Sequence, residues 1–343
     1  MNEKKNVVYV GIDLGTSRSA VSASNGQRHI VDSYVGWPVD MVARKILKKN
    51  VLIGREALDS RPMLDLHRPL ERGLLKEGSE KDQEAVRQLL IHLLELAGLG
   101  EKERGTTQVR AVVGVPAEAM RVNKQQLRTA FSGLVDALLI VSEPFAVAYG
   151  IEALLHAMVI DIGAGTTDLC VMSGRYPTED DQRTLLNAGD WVDEQLARLI
   201  AARYPEASIS PYMVREWKER YSFVGEPHGN VLVTAPVNGK PTQLDITEPV
   251  RIACEGLVPP IAETMLDLIA RVEPEFQEKV RHSIVLAGGS SAIRGLDVAL
   301  AAALQEVGGG VVRSVEDPMF AGSDGGLAIA TDAPDGDWEK LVG

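Results

Sequence analysis

Two stretches of the chain repeat one another. Residues 8–21 read VYVGIDLGTSRSAV, and residues 158–171 read MVIDIGAGTTDLCV. Each joins an apolar run to an aspartate, Asp13 or Asp161, then to an aliphatic residue and a glycine. A Gly/Ser/Thr turn and a second apolar run follow. Apolar runs on either side of such a break predict a β-strand, a tight turn and a returning strand. The duplication predicts a chain built as two related halves facing each other. Its 343 residues suit two domains at roughly 150 residues each. With 45% apolar and 24% charged residues it has material for sizeable cores, which excludes disordered, collagen-like and coiled-coil chains.

The turns carry a specific chemistry. Glycines at 15, 163 and 165 let the backbone bend closely around a ligand with no Cβ in the way. Successive N–H groups of Gly15, Thr16 and Ser17, and of Gly163 through Gly165, Thr166 and Thr167, can form nests for phosphate oxygens. Asp13 and Asp161, at strand ends, suit a hydrated Mg2+, which takes few carboxylates and keeps several waters. The plainer alternative is two unrelated turns in which Asp and Gly serve turn geometry alone. Two matched copies argue against it. Neither copy is a P-loop, and no Gly-x-Gly-x-x-Gly opens a helix after the first strand.

Three further segments have the makings of a nucleotide site. In RHSIVLAGGSSAIRGL (281–296), Ser283 to Ala287 predicts a buried strand, and the Gly288-Gly289 turn would admit an α-phosphate or ribose. Ser290 or Ser291 would cap a following helix, with Arg294 one turn in, its flat guanidinium available to an adenine face. In SEPFAVAYG (142–150), Ser142 reads as an N-cap, with Glu143 and Pro144 in the first turn. Glu143 there would either position an attacking water or only stabilise the helix start. In SPYMVREWKERYSFVG (210–225), Ser210 and Pro211 open a helix. Glu219 could accept from ribose hydroxyls and Lys218 lay its stem along a base, unless this is a solvated face.

Taken together, these motifs resemble the actin superfamily of ATPases. Gly11 to Thr16 is similar to the first phosphate motif of that family, and Asp161 to Asp168 to the second. Glu143 to Gly150 is similar to the first connecting helix, and Leu286 to Leu296 to the adenosine motif. The helix 214–221 and the segment Arg68-Pro69-Leu70-Glu71-Arg72-Gly73 resemble the filament-forming branch. At finer grain Pro116-Ala117, Val141 to Phe145, Asp161 to Asp168 and Tyr221 to Gly225 resemble the magnetosome-organising bacterial actins. The resemblance implies an α/β actin-like fold: two ribonuclease-H-like domains with a nucleotide cleft between them. It implies domain I over 1–145 with an insertion near 33–75, and domain II over 146–330 with an insertion near 200–250. A tail, 331–343, would pack back on domain I. Asn238-Gly239 between two apolar runs predicts a hairpin in the second insertion. One departure stands out: Leu327 takes a position where the second connecting helix should be small, which predicts a looser crossing of the two helices.

The implied activity is ATP hydrolysis with Mg2+, coupled to head-to-tail assembly into filaments that position magnetosomes or similar organelles. Glu143 and Asp161 would be catalytic, Asp13 and Asp161 would take the metal, and ATP or ADP would be the cofactor. The chain's own copies are the principal partner, with adaptor proteins on membranes a further one. Two other classes share the motifs: a small-molecule kinase using Asp168 as base, and a chaperone-like ATPase that does not polymerise. The net charge of −12 argues against nucleic acid as a partner. Two cysteines suit a reducing cytoplasm, and no apolar run approaches the ~18 residues of a membrane span. The charged start of the chain does not read as a signal peptide or an amphipathic anchor.

Overall fold

The first apolar run forms β1 (Asn6–Leu14), which turns through residues 15–17 into β2 (Arg18–Ala23), with Leu14 opposite Ser19 and Val10 opposite Ala23. β3 (Arg28–Asp32) continues the antiparallel meander. A small insertion follows: β4 (Val35–Pro38), β5 (Leu52–Ile53) and β6 (Leu64–His67) form a three-stranded sheet over its own core of Tyr34, Leu52, Ala57 and Leu64. The hairpin of β7 (Leu70–Glu71) and β8 (Leu74–Leu75) turns on Arg72 and Gly73, both at positive φ. The Glu80–Leu96 helix buries Val86, Leu89, Leu90, Leu93 and Leu94, one stripe at 3.6-residue spacing. β9 (Thr107–Val115) and β10 (Ala137–Ser142) then run parallel to β1, giving a mixed sheet in the order β10-β9-β1-β2-β3.

The computed structural model describes residues 6–76, 80–117 and 124–339. They fall into two compact units, Met1–Leu154 with Met319–Gly343, and Leu155–Pro318. The second unit repeats the strand plan of the first. β11 (Leu155–Ile162), β12 (Thr167–Ser173) and β13 (Gln182–Leu185) form an antiparallel meander. The insertion hairpin of β14 (Leu232–Val237) and β15 (Lys240–Asp245) turns on Asn238 and Gly239 at φ 51° and 75°, the geometry that Asn-Gly adopts most readily. β16 (Ile284–Ala287) and β17 (Val312–Ser314) add in parallel to β11, and the order is β13-β12-β11-β16-β17. Met158, Ile160 and Ile162 of β11 share a core with Val192, Leu196 and Ile200 of the Gly189–Arg203 helix.

The division of the chain differs from the expected one. It falls at 154/155 and 318/319 rather than at 145/146 and 330/331, because two helices pack backbone to backbone inside the first unit. A Cβ placed on Gly150, at the end of the Glu143–Gly150 helix, would lie 2.8 Å from Gly325 Cα in the Ala321–Asp332 helix. This also corrects the expected loose crossing. The small residues at the contact are Gly150 and Gly325, so Leu327 can remain half-buried beside it without holding the helices apart. Beyond that helix, Asp335 pairs with Arg110 of β9 at 2.6 Å and Trp338 is buried. The last four residues of the expected tail lie outside the described residues.

Candidate functional site

Asp13 stands near the end of β1, opposite Ala20 in β2 and in register with Gly114 of β9. It is half-buried, and burial pushes its carboxyl up to about 6. The turn that follows is held from several sides. Gly15 O accepts Ser33 Oγ at 2.7 Å, Thr16 O accepts Arg68 Nε at 2.7 Å, and Ser17 O accepts Ser33 N at 2.9 Å. Thr16 Oγ1 accepts the Gly73 N–H at 3.0 Å. These contacts fix all three peptide planes of the turn. A Cβ on Gly15 would lie 2.2 Å from Arg18 O, so the turn requires glycine there. Arg68, Gly73 and Ser33 are support that motif reading did not name. The signal was present in Arg68-Pro69 followed by Gly73, read there only as a mark of the filament branch.

Glu143 opens its helix directly from the end of β10, with Pro144 beside it. Ser142 occupies the N-cap position, buried and without a side-chain cap bond, because the strand runs straight into the helix. Glu143 is half-buried, and a Cβ on Gly114 would sit 3.4 Å from its Cγ. Gly114 is thus a neighbour of both residues, of Asp13 through strand register and of Glu143 through its Cγ.

In the second unit, Asp161 of β11 lies opposite Asp168 of β12 and in register with Ala287 of β16. A Cβ on Gly288 would lie 2.3 Å from Asp161 Oδ1 and 2.6 Å from Ile162 O, and Gly288 is at φ 77°. Only glycine fits. The turn itself corrects one expectation. Gly163 donates its N–H to Thr166 O at 2.9 Å, which closes the hairpin and withdraws that group from an anion nest. Gly163 O accepts Gly189 N and Ser290 Oγ, each at 3.0 Å. Asp190 N donates to Ala164 O at 2.7 Å. Gly165, Thr166 and Thr167 are buried, and Thr167 Oγ1 donates to Asn187 O at 2.7 Å. Asp168 is 1% exposed and accepts Thr184 Oγ1 at 2.6 Å.

The adenosine-like motif folds differently from expectation. Gly289–Ala292 forms a single 3-10 turn, and the α-helix begins only at Leu296 with Gly295 as its N-cap. Neither serine caps a helix. Ser290 holds Gly163, and Ser291 Oγ donates back to Gly288 O at 2.7 Å. Arg294 therefore precedes the helix. Its guanidinium lies 5.2 Å from the Phe223 ring centroid, and its carbonyl accepts Val224 N at 2.8 Å.

The Pro211–Tyr221 helix is capped as expected, Ser210 Oγ accepting Met213 N at 3.2 Å. Glu219 is exposed. Lys218 is buried, donating Nζ to Gly189 O at 2.7 Å and pairing with Asp193 at 2.9 Å. Lys218 thereby steadies the residue whose N–H holds Gly163. Lys218→Ala should destabilise the protein by about 1–3 kcal/mol, because buried Asp193 would lose its nearer cation and keep only Arg215 Nε at 3.6 Å. Burial already raises the Asp193 pKa, and Lys218 opposes that rise. A carboxyl raised in the folded state is favoured at low pH and loses stability as pH climbs through its folded pKa. Urea titrations should therefore show a larger deficit for the variant at pH 8 than at pH 5.

The donor set fits Mg2+ held with nucleotide. Among the described residues no group of three or more His, Cys, Asp or Glu is placed to hold a metal alone. Single carboxylates beside glycine turns match a small cation that keeps its waters and shares phosphate oxygens. Asp13, raised by burial, would be relieved by such a cation.

Two α/β units of one strand plan, each with a Gly-rich strand–turn–strand carrying an aspartate at its strand end, define the actin-like fold. The chain belongs to the MreB/Mbl protein family, whose pattern matches residues 7–334. It is 41% identical over 339 residues to the actin-like protein MamK of Paramagnetospirillum magneticum, covering 99% of this chain and 96% of that protein. A MamK double helical filament structure superposes with a TM-score of 0.92 at 41% identity, over 96% of this chain and 100% of that one. A non-polymerising MamK mutant bound to AMPPNP matches at 41% identity with a TM-score of 0.72, at the same coverage.

Proposed function

We propose that this protein binds ATP with Mg2+, hydrolyses it, and assembles head to tail into cytoplasmic filaments that position magnetosomes or similar organelles. The observation that carries the reading is that Asp13 and Glu143 both neighbour Gly114, beside a turn whose peptide planes are fixed from outside. The relatives that are filaments or hold AMPPNP support it.

Asp13 and Asp161 are the carboxylates assigned to Mg2+. Mg2+, when bound, offsets charge on the phosphate oxygens. Gly15, Thr16 and Ser17 present backbone to phosphate, as do Gly165, Thr166 and Thr167, with Gly163 closing its own turn. Gly288, Gly289 and Ser290 shape the contact to the nucleoside. Glu219 accepts from ribose, while the Lys218 stem and the Arg294 guanidinium border the base. Glu143 holds the attacking water and receives its proton. A head-to-tail contact between copies does not close on itself, so assembly gives an open filament. No helix among the described residues is long and apolar enough to cross a membrane, and attachment through adaptor proteins suits that.

High-speed sedimentation with Mg-ATP, with Mg-ADP and with ATP plus EDTA tests the reading, with electron micrographs of each pellet. Filaments are expected with Mg-ATP and few with EDTA. A protein that stays in the supernatant throughout yet phosphorylates an added acceptor would overturn it.

A further inference from the structure

The start of the Ala321–Asp332 helix is held to β2 and β3 by a polar lock that the proposed site does not use. Asp324 accepts Arg28 Nε at 3.1 Å and Arg28 Nη2 at 2.5 Å, and also Ser22 Oγ at 2.6 Å. The same guanidinium lies 3.7 Å from the ring centroid of Phe320, the residue just before the helix. Ser22 Oγ meets Ser323 Oγ at 3.0 Å, and Ser323 Oγ donates to Phe320 O at 3.2 Å. Arg28 therefore grips the turn on both sides, at 320 and at 324.

Between those two grips lies Gly322, and it touches Asp13. A Cβ there would stand 2.7 Å from Asp13 Oδ2 and 3.3 Å from Asp13 Cβ. The next residue presses on the same strand, since a Cβ on Gly11 would lie 2.0 Å from Ser323 O. The first turn of this helix is thus one wall of the Asp13 carboxylate, and its placement follows from Arg28. A half-exposed ion pair contributes little to overall stability, so the lock acts mainly through geometry.

We propose that Arg28 is a positioning residue: with Asp324 and Phe320 it fixes the helix turn that sets the Asp13 carboxylate for Mg2+. This rests on the reading of Asp13 as a Mg2+ group. Arg28 carries out no chemistry. It acts through Gly322, as outer groups that orient metal ligands do.

The test titrates Mg2+ against binding of a fluorescent ATP analogue to the full chain, for the wild type, Arg28→Ala, Arg28→Lys and Asp324→Asn. Melting without Mg2+ serves as a control. The Mg2+ half-saturation point should rise about tenfold in Arg28→Ala and Asp324→Asn. Arg28→Lys should recover part of the loss, keeping the charge but not the two-pronged grip. Melting temperatures should stay within about 3 °C of wild type. A half-saturation point unchanged in Arg28→Ala, with the wild type clearly Mg2+-dependent, overturns the positioning role alone. Wild-type binding that ignores Mg2+ removes the Mg2+ reading of Asp13, and this proposal with it. Should Arg28→Ala fail to fold, Ser22→Ala and Asp324→Asn carry the same comparison.

Discussion

Glu143→Ala is expected to lower ATP turnover by about 10²- to 10⁴-fold, the range that a positioned acid or base contributes, while Mg-ATP binding and sedimentation persist. The separation follows from where Glu143 stands. It sits at the first position of its helix, half-buried, with Cγ against the Cβ-free surface of Gly114. Losing a first-turn acid costs the helix only about 0.3–1 kcal/mol, so the variant should fold. Filaments formed by Glu143→Ala should then outlast those of the wild type, because hydrolysis no longer weakens their contacts. Asp161→Ala should behave differently and lose nucleotide binding together with assembly, since that carboxylate is assigned to Mg2+. Phosphate release and sedimentation, measured on the same samples, separate the two. Wild-type turnover in Glu143→Ala would remove the residue from the chemistry and leave it a helix-start acid.

What could be read in advance was whatever the chain encodes over a few residues. Both aspartate-bearing hairpins form where the Gly/Ser/Thr breaks put them, and Asn238-Gly239 turns its hairpin at the positive φ values that such a pair favours. Ser210 caps its helix because hydroxyl and Met213 N–H lie within one turn of chain. The duplicated motif also foretold two sheets of one plan, since the same hairpin begins each.

The rest depended on contacts made across the fold. Ser290 has the right identity and spacing for a cap, yet Gly163 O, far away in sequence, takes its hydroxyl and the helix starts later. Lys218 is on an amphipathic helix whose sequence does not show that Asp193 and Gly189 O lie in reach of its ammonium. Nor does the sequence show that strand pairing buries Asp168 beside Thr184. Leu327 misled for a related reason. The family resemblance marked it as too large for a close crossing, while the position that decides the crossing is Gly325.

That position gives the second large effect, one of opposite sign to the usual rule. Inside a helix, Gly→Ala ordinarily stabilises by about 0.5–1 kcal/mol. At Gly325 the new Cβ would lie 1.8 Å from Ala146 O and 2.5 Å from Ala146 C. Both are backbone atoms of the Glu143–Gly150 helix, so no side-chain rotation relieves the overlap and one helix must move. Overpacking of side chains costs about 1–3 kcal/mol, and a clash with backbone belongs at or above the top of that range. Gly325→Ala should therefore lower the melting temperature by on the order of 10 °C, at 2–4 °C per kcal/mol for a unit of this size. The displaced helix carries Glu143, so ATP turnover should fall further than the melting shift explains at a temperature where the variant is folded. Gly105→Ala is the matched control. It lies in the Glu101–Thr106 helix, where an added Cβ meets nothing within 4 Å, and it should be neutral or stabilise by about 0.5–1 kcal/mol. Equal melting temperatures for the two variants would show that the two helices can separate at no cost, and that the close crossing does not set the position of Glu143.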